Sequence, residues 1–165
     1  MSRNEYKIDL LSRGVCGSTT DYEIDDSFFE ELGGIIQRGQ LHTTIRVDGN
    51  STSLFRFTIH SEGTVFVPCD RCLSDVAIPI DTTNELTVKL GEDYSDEGEV
   101  VIIPERDGMI DTAQFIYEYV VLSLPIKIVH ADGECDAAMM ATLEQHLTKH
   151  DIECDEDEES SQPEE

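Results

Sequence analysis

Apolar and polar residues alternate over much of the first ninety positions, the period of strands that bury one face. Tyr6, Ile8 and Leu10 share one face of a short segment, with Lys7 and Asp9 on the other. Residues 14–24, rich in Thr and broken by Gly, read as a link. Asp25 or Asp26 can then cap a short helix carrying Phe28, Phe29 and Leu32, stopped by Gly33-Gly34. Beyond it, Leu41, Thr43, Ile45 and Val47 hold odd positions, and so do Phe55, Phe57 and Ile59. A two-residue turn at Asp48-Gly49 would pair odd with even positions and send the two apolar sets to opposite faces. The spacing therefore predicts a loop of three or five residues, despite the Asp-Gly turn signal. Ser61-Glu62-Gly63 fits a three-residue loop that pairs Ile59 with Val65 and Phe57 with Val67. Strands at 75–80 and 85–90 continue the period, and Pro79 marks an edge or a bulge.

From residue 91 the pattern changes. Residues 91–98 (GEDYSDEG) read as an acidic, turn-rich loop without the ligand spacing of a calcium EF-hand. A short apolar strand from Val100 to Ile103 ends at Pro104. Asp111 with Gln114 forms a capping box for a helix bearing Ile116, Tyr119 and Val120, which Leu124-Pro125 terminates. A second helix is expected from Asp136 to Lys149, with Met139, Met140, Leu143 and Leu147 on its buried side. The expectation is an α+β fold: an antiparallel, barrel-like sheet with a short N-terminal helix and two C-terminal helices. Residues 1–150 form one domain, and residues 151–165 a disordered acidic tail.

Charge narrows the range of partners. The 165 residues hold 36 acidic and 11 basic side chains, a net charge of −25. Nine of the acidic residues lie in the tail, which leaves −16 on the first 150 residues. Such a surface repels phosphate, which argues against a plain nucleic-acid clamp or an anionic membrane, and it attracts basic proteins. No apolar run approaches the roughly 20 residues of a membrane span. The first residues (MSRNEYKIDL) hold no signal-peptide core, and five cysteines (Cys16, Cys69, Cys72, Cys135, Cys154) are an odd set. The expected location is cytoplasmic, with the cysteines as free thiols or metal ligands.

Cys69-Asp70-Arg71-Cys72 falls in the link between two strands, where a tight turn can bring two sulfurs to one side of the chain. The pair is half a tetrahedral site. His130 and Cys135, between the two C-terminal helices, can supply the rest. Cys69, Cys72, His130 and Cys135 would then hold one structural zinc and pin the helical half onto the sheet. Two other readings stay open. The four can be unligated thiols and a surface histidine, or Cys69 and Cys72 can be a redox pair whose thiol pKa Arg71 lowers. A strand after Cys72, where thioredoxin-type sites have a helix, weighs against the redox pair. His146 and His150 are four apart, yet a His-Lys-His cluster at a helix end is already favourable with the dipole. His42 and His60 fall on polar strand faces, and Cys16 and Cys154 have no evident partner. No nucleophile elbow, phosphate-binding Gly loop or zincin helix occurs, so a non-catalytic protein is expected.

The segment C-D-R-C-L at 69–73, followed by YEYVVLSLPIKIVH at 117–130 and the return to Cys135, resembles the DUF177 family. This family, also called YceD, is associated with accumulation of 23S ribosomal RNA. Cys69, Arg71, Cys72 and Leu73 match its first motif; Leu124, Pro125, His130 and Cys135 match its second. The likeness covers most of residues 1–147 and leaves out the acidic tail. Some relatives end in a longer Cys-rich segment that is missing here. The resemblance implies a non-catalytic factor in 23S rRNA synthesis, processing or stability. With this charge, the expected partners are basic ribosomal proteins or large-subunit assembly factors in preference to RNA itself. The alternatives are a CxxC thiol-disulfide protein and a zinc-stabilised interaction module unrelated to ribosomes.

Overall fold

The computed structural model describes residues 3–51, 53–96 and 100–146. After a 3₁₀ turn at Arg3–Tyr6 come β1 (Lys7–Asp9), β2 (Ser18–Ile24), α1 (Asp26–Leu32), β3 (Arg38–Ser51), β4 (Leu54–Pro68) and β5 (Asp75–Gly91). They are followed by β6 (Ser95–Asp96), β7 (Val100–Pro104), β8 (Met109–Asp111), α2 (Thr112–Leu122) and α3 (Ala137–His146). Six strands form one sheet in the order β2-β3-β4-β5-β7-β6, and β1 pairs with β8 in a small second sheet. The α+β class stands. The antiparallel barrel does not: β7 runs parallel to β5, and the outermost strands β2 and β6 do not meet. The chain leaves β5, forms β6 on the outside and returns antiparallel to it as β7, which makes the sheet mixed. Helices α1 and α2 pack on β3, β4 and β5, so helices cover the face that barrel closure would have left to strands.

Parity governs the long strands. Ile45 faces Ile59 and Val47 faces Phe57, so odd positions meet odd ones as expected. Residues 50–54 separate the pair Gly49–Phe55, and a bulge between Gly49 and Ser51 supplies the odd-length link. The expected loop at Ser61-Glu62-Gly63 is not there. β4 runs straight through it, with Ser61 opposite Thr43 and Thr82, and Gly63 opposite Leu41 and Ile80. A three-residue loop and an uninterrupted strand keep the same parity, so the apolar period cannot tell them apart. Gly63 has a φ of 145°, and a Cβ there would collide with the Gln40 carbonyl oxygen and the Leu41 Cα. Buried Ser61 and Thr43 join hydroxyls at 2.9 Å, which satisfies the two polar groups within the apolar face.

The strands expected at 75–80 and 85–90 are one strand, β5, whose Val76, Ile80, Leu86, Val88 and Leu90 face the core. β7 covers β5 only at Thr87–Gly91, so Pro79 does lie on an open edge. β2 falls in the Thr-rich stretch to which the sequence assigned no strand. It is an edge strand with one buried residue, Ile24, and so lacks a clear alternation.

Asp25 caps α1 through the Ser27 N–H at 3.1 Å, and Gly33 ends it at a φ of 69°. Phe28 and Phe29 are buried, with Tyr6 packed on Phe28. Asp111 caps α2 through the Ala113 N–H, and the Gln114 side-chain amide donates to Glu118 one turn on. The 91–98 segment contains β6, and residues 97–98 lie outside the described residues. α3 forms as expected but buries none of its residues: Met139 is exposed, and Met140 and Leu143 are only half-buried. Among the described residues, α3 makes no extensive contact with another helix or strand. Leu147 and the tail lie outside the described residues, among which no helix is long and apolar enough to cross a membrane.

Candidate metal centre

The β4–β5 connection is a tight knuckle. Cys69 N–H donates to the Ser74 carbonyl at 2.9 Å, and Leu73 N–H donates to the Cys69 carbonyl at 3.0 Å. Leu73 takes a φ of 61°, a left-handed conformation that is costly for a side chain of its size. That reversal puts the Cys69 and Cys72 sulfurs on one side of the turn. The chain leaving α2 is then tied to the knuckle by Asp70. Asp70 N–H donates to the Ile128 carbonyl at 2.7 Å, and Ile128 N–H donates to the Asp70 carboxylate at 2.8 Å. Two residues on, His130 Nε2 lies 3.1 Å from the Asp75 carbonyl oxygen. A carbonyl only accepts, so a neutral His130 carries its proton on Nε2 and turns the Nδ1 lone pair toward the sulfurs. A turn through Gly133 then brings in Cys135.

Each of Cys69, Cys72, His130 and Cys135 offers one ligand atom, and these atoms all lie within 4.8 Å of one another. Cys69 and Cys72 are buried, His130 and Cys135 half-buried. The separations are 3.9 Å for Cys69–Cys135, 3.4 Å for Cys72–His130 and 3.9 Å for Cys135–His130. A regular tetrahedron with Zn–S bonds of about 2.3 Å and Zn–N bonds of about 2.0 Å has edges of about 3.5–3.8 Å. The residues therefore fit one tetrahedral ion. At 3.9 Å the Cys69 and Cys135 sulfurs are well outside the roughly 2.05 Å of a disulfide.

Local electrostatics lower two of the three thiols. Burial raises the Cys69 thiol, but hydrogen bonds from the Cys72, Arg71 and His130 backbone and from the His130 ring outweigh it and bring it down to about 5. Cys72 is lowered chiefly by the Asp136 backbone N–H. Its hydrogen bond with Cys69 raises His130, while burial pushes Cys135 up.

The other sequence candidates do not join this cluster. Cys16 is exposed, with its sulfur against Gly49. His42 and His60 lie on the solvent face of the sheet, held by Glu23 at 2.8 Å and Thr83 at 2.9 Å. His146 ends α3 exposed, and His150 and Cys154 lie outside the described residues. Two positioning groups escaped the sequence reading. Asp70 was legible only as a turn residue, and Asp75 acts on His130 through its backbone, which leaves no side-chain signature.

An open sheet whose knuckle is joined to the segment beyond its covering helix by three cysteines and a histidine defines an α+β protein with a candidate structural metal clamp. The chain belongs to the YceD family of large ribosomal RNA subunit accumulation proteins, whose family model matches residues 57–164. That span contains all four cluster residues. It also reaches into the acidic tail, which the sequence reading had left out of the resemblance. No curated protein and no solved structure matches the chain.

Proposed function

We infer from family membership a role in accumulation of large-subunit ribosomal RNA. We propose that the protein fills this role without catalysis, as a zinc-clamped platform that docks basic ribosomal proteins or large-subunit assembly factors. The observation that carries the reading is the closed cluster of Cys69, Cys72, His130 and Cys135. Four protein ligands complete a tetrahedron and leave no coordination position for a substrate, which is the pattern of structural zinc sites. When bound, the ion would neutralise thiolate charge and lock the C-terminal segment to the β4–β5 knuckle. Asp70 and Asp75 hold that segment and the His130 ring in place for it. The net charge of −25 supports a cationic protein partner over bare RNA.

A thiol-disulfide reading draws on the low pKa of Cys69. The burial of Cys69 and Cys72 weighs against it, because a protein disulfide has no route to either sulfur. The test is co-sedimentation of the tagged protein with large-subunit precursors at low and high salt, with metal analysis of protein purified without added zinc. Salt-sensitive association and one zinc per chain support the reading. Tight, steeply salt-dependent binding to naked 23S fragments, or zinc-free protein with all thiols freely titratable, refutes it.

A further inference from the structure

Of the α3 residues that the sequence marks for burial, Met139 is exposed and Met140 only half-buried, and Met140 shares a groove with Cys135 of the cluster. A groove of about 330 Å³ between the knuckle and α3 is lined by Arg71, Cys135, Ala137, Met140, Ala141 and Glu144. The apolar part of its lining is Met140 with Ala137 and Ala141, whose small side chains leave room for an incoming group, and Met adapts readily to varied partners. Asp132, Glu134, Asp136 and Glu144 are all exposed around it. The cation on the wall, Arg71, already has Asp132 at 3.8 Å. An apolar lining with exposed acids in and next to it is the surface that a basic amphipathic segment fits.

We infer that the α3 groove is the docking site for a lysine- or arginine-rich amphipathic segment of a protein partner. This rests on the reading of the protein as a platform for cationic partners and locates the face that does the docking. The occupant's apolar side chains sit on Met140 and between Ala137 and Ala141, and its cations meet Glu144 and the carboxylates of 132–136. Because Cys135 forms part of the wall, the shape of the groove depends on the clamp.

The test titrates a labelled lysine–leucine amphipathic peptide into the full chain at physiological salt, read by fluorescence anisotropy. A field that attracts any cation is separated from a built groove by uncharged variants. Met140→Gln and Ala141→Gln are each expected to weaken binding about tenfold, and Met139→Gln, outside the groove, to leave it unchanged. Glu144→Gln is expected to weaken it more than Glu62→Gln on the sheet face. None of these side chains is buried, and circular dichroism confirms that each variant is folded. Wild-type affinity in both Met140→Gln and Ala141→Gln overturns the inference, as does equal loss from Glu144→Gln and Glu62→Gln. Two other occupants would also overturn it: a dimer, seen by sedimentation, that Met140→Gln dissociates, or the acid tail, if deleting residues 151–165 raises affinity tenfold. Precursor co-sedimentation separates this from the broader reading. If Met140→Gln/Ala141→Gln still travels with precursors, the groove is wrong and the platform stands. If even wild type does not, the platform is wrong and the peptide titration alone judges the groove.

Discussion

α2 and α3 follow one another in the chain, and both carry apolar residues at helical spacing, yet only α2 is built into the fold. Thr112, Ala113, Ile116 and Val120 of α2 are buried, and Tyr117 reaches Phe29 of α1 with ring centroids 6.5 Å apart. α3 buries nothing. Burial of apolar surface places α2, and that force is large and non-directional. The approach to α3 is placed by a few directional contacts: the two Asp70–Ile128 hydrogen bonds, the His130–Asp75 bond and the four-residue cluster. An apolar stripe therefore shows that a helix has something to cover. It does not show that the same chain covers it.

The sharpest way to break this contrast is by truncation. Phe57→Ala, at a fully buried position of β4, should cost about 3–5 kcal/mol in urea unfolding. Met140→Ala should stay within about 0.5 kcal/mol. Comparable costs would mean that α3 is part of the core after all. Next in size, Cys72→Ser or chelation of the proposed zinc should release residues 125–146 to hydrogen exchange while β3, β4 and β5 stay protected. Uniform loss of protection would show the cluster to be essential to the whole fold, and no loss would show it to be idle. Asp70→Ala should cost about 1 kcal/mol, confined to the same segment, by leaving the Ile128 N–H without its carboxylate.

Two pH effects separate core from surface. Burial, with help from Asp25, pushes the Tyr6 hydroxyl up to about 12. The fold therefore holds the neutral form, and that stability is complete below about pH 10 and lost as the pH climbs toward 12. A Tyr6→Phe chain should unfold less readily over that window. The smallest effect belongs to His42, raised by its hydrogen bond with Glu23 on the exposed sheet face. Its contribution is present below about pH 6.5 and fades as the pH rises through the folded value. Glu23→Gln should flatten a slight fall in melting temperature between about pH 6 and about pH 8.

The parity of β3 and β4, the caps Asp25 and Asp111, and the four cluster residues were all legible, because each rests on a local residue type or a fixed period. The continuous course of β4 through Ser61-Glu62-Gly63 was not, because its alternative keeps every apolar side chain on the same face. β2 was hidden by having one buried residue, and the β5–β7 pairing by depending on a crossover that no local pattern encodes. Within the cluster, which side chains come together was readable from their chemistry, whereas the Asp75 contribution is a backbone oxygen that any residue would have supplied.

The open edge of β5 carries a consequence of its own. Between residues 75 and 86 this strand has β4 on one side and, among the described residues, no strand on the other, a ready template for edge-to-edge pairing between copies. Pro79 offers no N–H to an incoming strand, and exposed Asp75, Asp81 and Glu85 repel the same acids on a second molecule. The excess negative charge thus also opposes the joining of two unfinished sheets edge to edge.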